Sequence, residues 1–254
     1  MRLQGKTAVI TGGGSGIGLE IAKAYAAEGA YVYITGRREN VLQKAVHEIG
    51  ENASYLTGDV TSREDMQRLA DKIRSERGSA DIVIANAGVG GYVSLEDITL
   101  EEFDRVMHTN VLGSYFTVQA CLPLMKEGSS IILNTSVTAS LGLKDFSLYI
   151  AAKSAQKSFI HTWTNELAHR KIRVNAIAPG IIPTEAAGKE LGRSEEEELE
   201  RQKYRAGLIP AGRVGHVRDI ANAAVFLGSD ESSYINGVEL LVDGGLAAVY
   251  PVKL

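Results

Sequence analysis

Short runs of apolar, mostly β-branched residues alternate along the chain with longer stretches whose apolar positions recur every three or four residues. The short runs read as strands: Thr7 to Thr11, Tyr31 to Thr35, Ser54 to Thr57, Ile82 to Ala85, Ser130 to Asn134, Arg173 to Ile177 and Val238 to Val242. Between the first two, Ile17, Ile21, Ala24 and Tyr25 keep a helical period, and Gly29 ends that helix. Further helices are predicted at Asn40 to Ile49, closed by Gly50, and at Arg63 to Arg77, where Thr61, Ser62 and Asp65 form a cap signal. The helical pattern returns over Leu100 to Met125, with Gly113 inside and Pro123 near its end, then over Ser147 to Ala168 and Val217 to Gly228.

Strand and helix in this regular succession imply parallel strands joined by right-handed crossovers. The strands are apolar nearly throughout, as expected when helices cover both faces of a sheet. The expected architecture is therefore α/β, a single doubly wound domain over residues 1–254 with a seven-stranded parallel sheet flanked by helices. The segment from Thr184 to Gly215 breaks the alternation, and residues 184–215 are expected to form a lid-like insertion. Its acidic run, Glu195 to Glu198, reads as a solvated helix face.

Composition narrows the partners. A chain of 254 residues with 23% charged residues is ordinary for one large globular domain. Its net charge of -4 speaks against a nucleic-acid or anionic-lipid surface and favours a small-molecule substrate. The one cysteine, Cys121, lies in an apolar run, so it reads as packing in a reducing compartment. No secretory pattern precedes the first strand and no apolar run approaches bilayer length, so a cytoplasmic protein without a membrane partner is expected. No metal site is expected.

Candidate chemistry begins at Thr11 to Gly18, which reads Thr-Gly-Gly-Gly-Ser-Gly-Ile-Gly between the first strand and first helix. Glycine allows a tight turn and close backbone approach. Gly12, Ser15, Gly16, Ile17 and Gly18 would then turn the N–H groups of the first helical turn toward a pyrophosphate. This is the context of a Rossmann-type dinucleotide site. Such sites usually place an acidic residue at the end of the second strand. Here the place is held by Gly36, Arg37 and Arg38. Two arginines opening a helix oppose its dipole, whereas a 2′-phosphate would pair with them. NADP(H) is the expected cofactor, with NAD(H) second.

Ser136 precedes Tyr149 by thirteen positions and Lys153 follows it by four. A Tyr-x-x-x-Lys match alone means little in a chain with 10 Tyr. In a helix, however, residues four apart share a face. A nearby ammonium and an oxidised nicotinamide would both favour the phenolate of a tyrosine, which otherwise ionises near about 10.

Together these residues resemble the short-chain dehydrogenase/reductase family over nearly the whole chain. The matching positions are Thr11, Gly12, Gly16 and Gly18, then Asp59-Val60, Asn86-Ala87-Gly88, Asn110, Ser136, Tyr149 and Lys153, Pro179-Gly180-Ile181-Ile182-Pro183-Thr184 and Val242-Asp243-Gly244-Gly245. Ala85 departs from the family's usual Asn, and Ser15 stands where many NADP-dependent members carry a basic residue, so the cofactor preference rests on Arg37 and Arg38. The resemblance implies that Asp59 and Val60 hold the adenine and that Pro179, Gly180, Ile182 and Thr184 meet the carboxamide. It also implies a catalytic tetrad. Tyr149 exchanges a proton with the substrate oxygen, Ser136 holds that oxygen, Lys153 bonds the ribose, and Asn110 holds a water. The implied activity is that of an NADP-dependent alcohol dehydrogenase or carbonyl reductase, a ketoreductase in the other direction.

Val89 to Val93, Thr138 to Phe146 and the insertion would choose the substrate. Tyr92, Leu141, Leu143, Phe146, Ile181 and Leu208 suggest a hydrophobic or bulky ketone. Two alternatives stand beside this reading: a 3-oxoacyl thioester reductase, which would need a basic patch, and a non-catalytic NADP(H) sensor. A homotetramer is the family's common state. Phe159, Trp163 and Leu167 on one helix, and the apolar tail from Leu246, agree with it but equally suit a core.

Overall fold

The computed structural model describes residues 1–184 and 194–249. Its strands are β1 (Thr7–Thr11), β2 (Tyr31–Gly36), β3 (Ala53–Thr57), β4 (Ile82–Ala85), β5 (Ser130–Asn134), β6 (Arg173–Pro179) and β7 (Glu239–Val242). All pair in parallel, in the order β3-β2-β1-β4-β5-β6-β7. The chain winds outward from β1 to β3, then returns to the other side of β1 at β4. The carboxyl ends of β1 and β4 are therefore neighbours with connections leaving in opposite directions, the place where such sheets open a crevice.

Alternate strand residues enter two separate cores, as the pleat requires. Val9, Val83, Ile131 and Val174 pack on one face with Met66, Leu69 and Ile73 of α3 (Arg63–Arg77), Val118 and Cys121 of α5 (Gly113–Cys121), and Trp163 of α6 (Ser147–Glu166). Ala8, Ile10, Ile84 and Ile132 pack on the other with Ile21 and Tyr25 of α1 (Gly16–Ala27), Leu42 of α2 (Glu39–Ile49) and Ala224 of α8 (Val217–Gly228). This explains why the strands carry no polar alternation. Cys121 belongs to the first core, where burial pushes its thiol up to about 12, as a packing residue should behave.

The long helix expected over Leu100 to Met125 is interrupted. It is α4 (Leu100–Met107), a π turn at His108–Leu112, α5, and a 3-10 turn at Leu122–Leu124. Asn110 sits in that π turn, and its Nδ2 donates to the Val106 carbonyl at 3.0 Å in the turn before it. Likewise α6 stops at Glu166 and a 3-10 turn at Ala168–Arg170 follows, where continuous helix to Ala168 was expected. The insertion contains α7 (Glu195–Ala206), capped reciprocally by Ser194 and Glu197, so the acidic run does lie on a helix. Residues 185–193 of the expected lid lie outside the described residues.

Gly113 sits where α5 meets the loop after β3. A Cβ there would lie 2.6 Å from Val60 Cγ2. Gly113→Ala should lower unfolding free energy by about 1–3 kcal/mol, the usual cost of overpacking, read as a reduced urea midpoint at unchanged m-value.

Candidate active site

A cavity of about 1390 Å³ lies along the carboxyl edge of the sheet. Its wall includes each expected binding residue: Gly12, Ser15, Gly16, Ile17, Gly18, Gly36, Arg37, Arg38, Asp59, Val60, Asn86, Ala87, Gly88, Pro179, Gly180, Ile182 and Thr184. Asn110, Ser136, Tyr149 and Lys153 line the same space. Residues up to 172 positions apart in sequence, from Gly12 to Thr184, are thus brought to one crevice by the sheet order.

At one end, the turn after β1 is built for an anion. Gly12 has φ +65°, and a Cβ on Gly18 would lie 2.3 Å from the Gly12 carbonyl oxygen, so only glycine closes the turn. Ser15 precedes α1 in extended conformation without a side-chain cap, and no acidic residue occupies the first turn. The N–H groups and positive dipole end are left for a ligand. Across the crevice, Thr184 Cγ2 lies 3.4 Å from where a Gly16 Cβ would be. The Arg37 and Arg38 side chains are exposed and make no hydrogen bond or ion pair among the described residues. Asp59 Oδ1 accepts from Thr61 N and Oγ1, both at 2.9 Å, which shapes the loop that presents Val60.

A polar chain runs from this turn to the other end. Asn86 Nδ2 donates to the Thr11 carbonyl at 2.9 Å, and Asn86 and Ala87 N–H groups both donate to Thr11 Oγ1 at 3.1 Å. Asn134 Nδ2 donates to Asn86 Oδ1 at 2.8 Å, and Lys153 Nζ donates to the Asn134 carbonyl at 2.8 Å. The ends of β1, β4 and β5 are tied to α6 in sequence. Asn134 Oδ1 is buried without a partner, an unmet acceptor in the cavity wall. That orphan, the bare α1 terminus and the glycine cradle together fit a dinucleotide.

At the reaction end, Lys153 Nζ lies 5.7 Å from the centre of the Tyr149 ring. Tyr149 belongs to an aromatic wall: Tyr92 is 5.6 Å from it and 4.7 Å from Phe146, ring centre to ring centre. Ser136 caps the short turn Val137–Ser140, and its Oγ accepts from Thr138 N at 3.2 Å and Thr138 Oγ1 at 2.9 Å. Asn110 spends its amide on neighbours: Oδ1 accepts from Val89 N, and Nδ2 donates to the Val89 and Val106 carbonyls. Gly88 leaves room for it, since a Cβ there would lie 2.6 Å from Asn110 Oδ1.

Comparison with known proteins identifies the family. The family described as Enoyl-(Acyl carrier protein) reductase matches residues 12–247. Oxidoreductase asL5 of Sarocladium schorii is 42% identical over 250 residues, 98% of each chain. Versicolorin reductase stcU of Emericella nidulans is 35% identical over 254 residues, 96% of each. The 3-oxoacyl-acyl-carrier-protein reductase of Thermotoga maritima is 34% identical over 252 residues, 97% of this chain and 99% of that one. The chain belongs to the short-chain dehydrogenase/reductase family. It is an oxidoreductase of that family, whose members use NAD(H) or NADP(H) and act on small molecules.

Some cavity residues were missed from sequence. Asn134 had a signal, a polar residue closing an apolar strand. Arg105 also lines the cavity, its guanidinium held by Glu102 and the Gly90 carbonyl. Leu246, Ala247, Ala248 and Val249 line it too. Asp243 folds that tail back by accepting from Gly245 N and Ala247 N. Leu208 does not reach the wall. Trp163 and Leu167 are core residues, and Phe159 stacks on Trp163 at 4.6 Å. Among the described residues no group of acidic, His or Cys side chains is placed to hold a metal, and no helix is long and apolar enough to cross a membrane.

Burial pushes the Lys153 ammonium down to about 7. Its unfolded value is about 10. The unfolded chain therefore holds this proton where the folded chain does not. The cost to stability is full below about pH 7 and fades as pH rises toward about 10. The melting temperature of the ligand-free protein, measured relative to Lys153→Met, should rise across that interval. A difference that stays flat contradicts the buried, proton-shedding lysine.

Proposed function

We propose that the chain is an NADP(H)-dependent carbonyl reductase and secondary-alcohol dehydrogenase acting on hydrophobic, bulky ketones. The observation that carries this is the continuity of one cavity, from the bare α1 terminus and unpaired arginines to Ser136, Tyr149 and Lys153, with the Tyr92 and Phe146 rings beside Tyr149. The bound nicotinamide supplies the hydride. Arg37 and Arg38 hold the 2′-phosphate, and the first turn of α1 holds the pyrophosphate. Tyr149 gives a proton to the carbonyl oxygen during reduction and takes it back during oxidation. Ser136 donates to that oxygen as charge builds there. Lys153 meets the ribose and biases Tyr149 toward the phenolate. Asn110 contributes through its main-chain carbonyl, since its amide is already committed. The apolar wall, with Leu141, Leu143 and Ile181, excludes water and receives the substrate's bulk. A cytoplasmic homotetramer, with residues 184–215 as a lid, belongs to the same proposal. Tyr115, 42% exposed and edge-on to Trp163, is one of the exposed aromatic groups that would suit assembly.

Reduction of 3-oxoacyl thioesters is the second reading, suggested by the Thermotoga relative. An acidic carrier would need free cations at the mouth, whereas Arg105 is paired with Glu102 at 2.7 Å. A non-catalytic sensor has no use for the full set of hydroxyl, phenol and amine.

Wild-type kcat/KM should favour NADPH over NADH. Changing both arginines to Ala should lower the NADPH value by about 10- to 100-fold and leave the NADH value nearly intact, the loss of paired phosphate contacts. Tyr149→Phe should lose on the order of 100-fold or more in turnover, while NADPH quenching of protein fluorescence persists. A preference for NADH, or substantial turnover by Tyr149→Phe, overturns the cofactor and the mechanism respectively.

A further inference from the structure

We infer that Thr138 is a positioning residue that makes Ser136 an obligate hydrogen-bond donor, an inference resting on the carbonyl reductase reading. A serine hydroxyl has one proton and two acceptor lone pairs. Ser136 Oγ accepts from Thr138 N at 3.2 Å and from Thr138 Oγ1 at 2.9 Å. Thr138 N is a fixed donor to one lone pair, and with Thr138 Oγ1–H turned toward Ser136 Oγ the second is used, leaving only the proton to be given. Ser136 is 8% exposed and Thr138 is half-buried, and both line the cavity beside Tyr149. A carbonyl oxygen in that space accepts and never donates. The pair is thus set for a ketone oxygen and for the negative charge it gains on reduction.

The arrangement adds a polarising effect. Thr138 Oγ1–H donates to Ser136 Oγ, whose own proton goes to the substrate, so each bond in the row strengthens the next. The short turn keeps the two hydroxyls in register, because Ala139 N donates to the Ser136 carbonyl at 3.0 Å and Ser154 Oγ on α6 donates to the Ala139 carbonyl at 3.1 Å. Thr138 is therefore placed by its own backbone and need not touch the substrate.

The test uses Thr138→Val, which keeps shape and removes the hydroxyl, beside Thr138→Ser, which restores it. For ketone reduction with NADPH, Thr138→Val should lower kcat about 10-fold and raise KM by no more than about 3-fold, with NADPH affinity little changed, the scale of one charge-assisted hydrogen bond. Thr138→Ser should recover most of that loss. In a Ser136→Ala background, Thr138→Val should have no further effect, since the hydroxyl it positions is gone. Wild-type kcat in Thr138→Val, or an equal loss with and without Ser136, overturns the inference. A second measurement separates it from the activity reading: the affinity of the NADPH complex for an aryl amide, a carbonyl the enzyme does not reduce. Thr138→Val should weaken it about 3-fold, the part of that hydrogen bond felt in the ground state. If wild type reduces no ketone yet this weakening is seen, the reaction assignment fails and the role of Thr138 stands. If amide affinity is unchanged, the role of Thr138 falls.

Discussion

The Lys153 ammonium, 4% exposed, donates to the Asn134 main-chain carbonyl at 2.8 Å, and the reaction end is built around that bond. A buried cation is costly unless the protein supplies acceptors in place of water. Asn134 stands at the end of β5 and is itself tied through Asn86 to Thr11 at the end of β1. The carbonyl that receives Lys153 is therefore fixed relative to the turn proposed to hold the pyrophosphate. Shifting one end of the cavity would strain the other. That rigidity is what hydride transfer requires, since the reacting atoms must be held within contact distance for the chemistry to be fast.

The opposite side of the site is held by a departure from regular structure. The π turn at His108–Leu112 turns Asn110 inward, where its amide grips the Val89 backbone on both sides. Ser114 Oγ then donates to the Asn110 carbonyl at 2.7 Å and receives Gln156 Nε2 from α6 at 2.6 Å. The helix that carries Tyr149 and Lys153 is thus bonded to the turn that carries Asn110. Irregular helical turns often mark functional sites because they re-aim a side chain at a local energetic cost. The same Asn110 amide also donates to the Val106 carbonyl, tying the π turn to α4.

Seven strands were legible because their residues are apolar on both faces, and the pairing followed from the alternation with helices. The glycine turn, Ser136, Tyr149 and Lys153 were legible because their chemistry demands particular residue types at fixed spacing. The π turn was not, since the apolar period runs through His108 to Leu112 without a break. Asn134 escaped because half of its contribution is a main-chain carbonyl, which any residue possesses, and because its side-chain partner, Asn86, lies 48 positions away on another strand end. The tail from Leu246 suited a surface for assembly or a core equally. Its return over the cavity depends on Asp243 and on Gly244 and Gly245 at φ +66° and +90°, a turn whose direction composition does not encode.

Carbonyl and enoyl reduction differ in which carbon receives hydride and in what must be protonated. In the proposed mechanism Ser136 and Tyr149 serve the substrate oxygen, and both line the cavity with Lys153. The family description that matches residues 12–247 speaks of an enoyl reductase. An α,β-unsaturated aryl ketone offers both bonds to the protein at once. Reduced with NADPH deuterated at the nicotinamide carbon that gives up hydride, it should yield an allylic alcohol with deuterium on the carbinol carbon. A saturated ketone with deuterium at the β carbon would contradict the assignment of Ser136, Tyr149 and Lys153 to carbonyl chemistry.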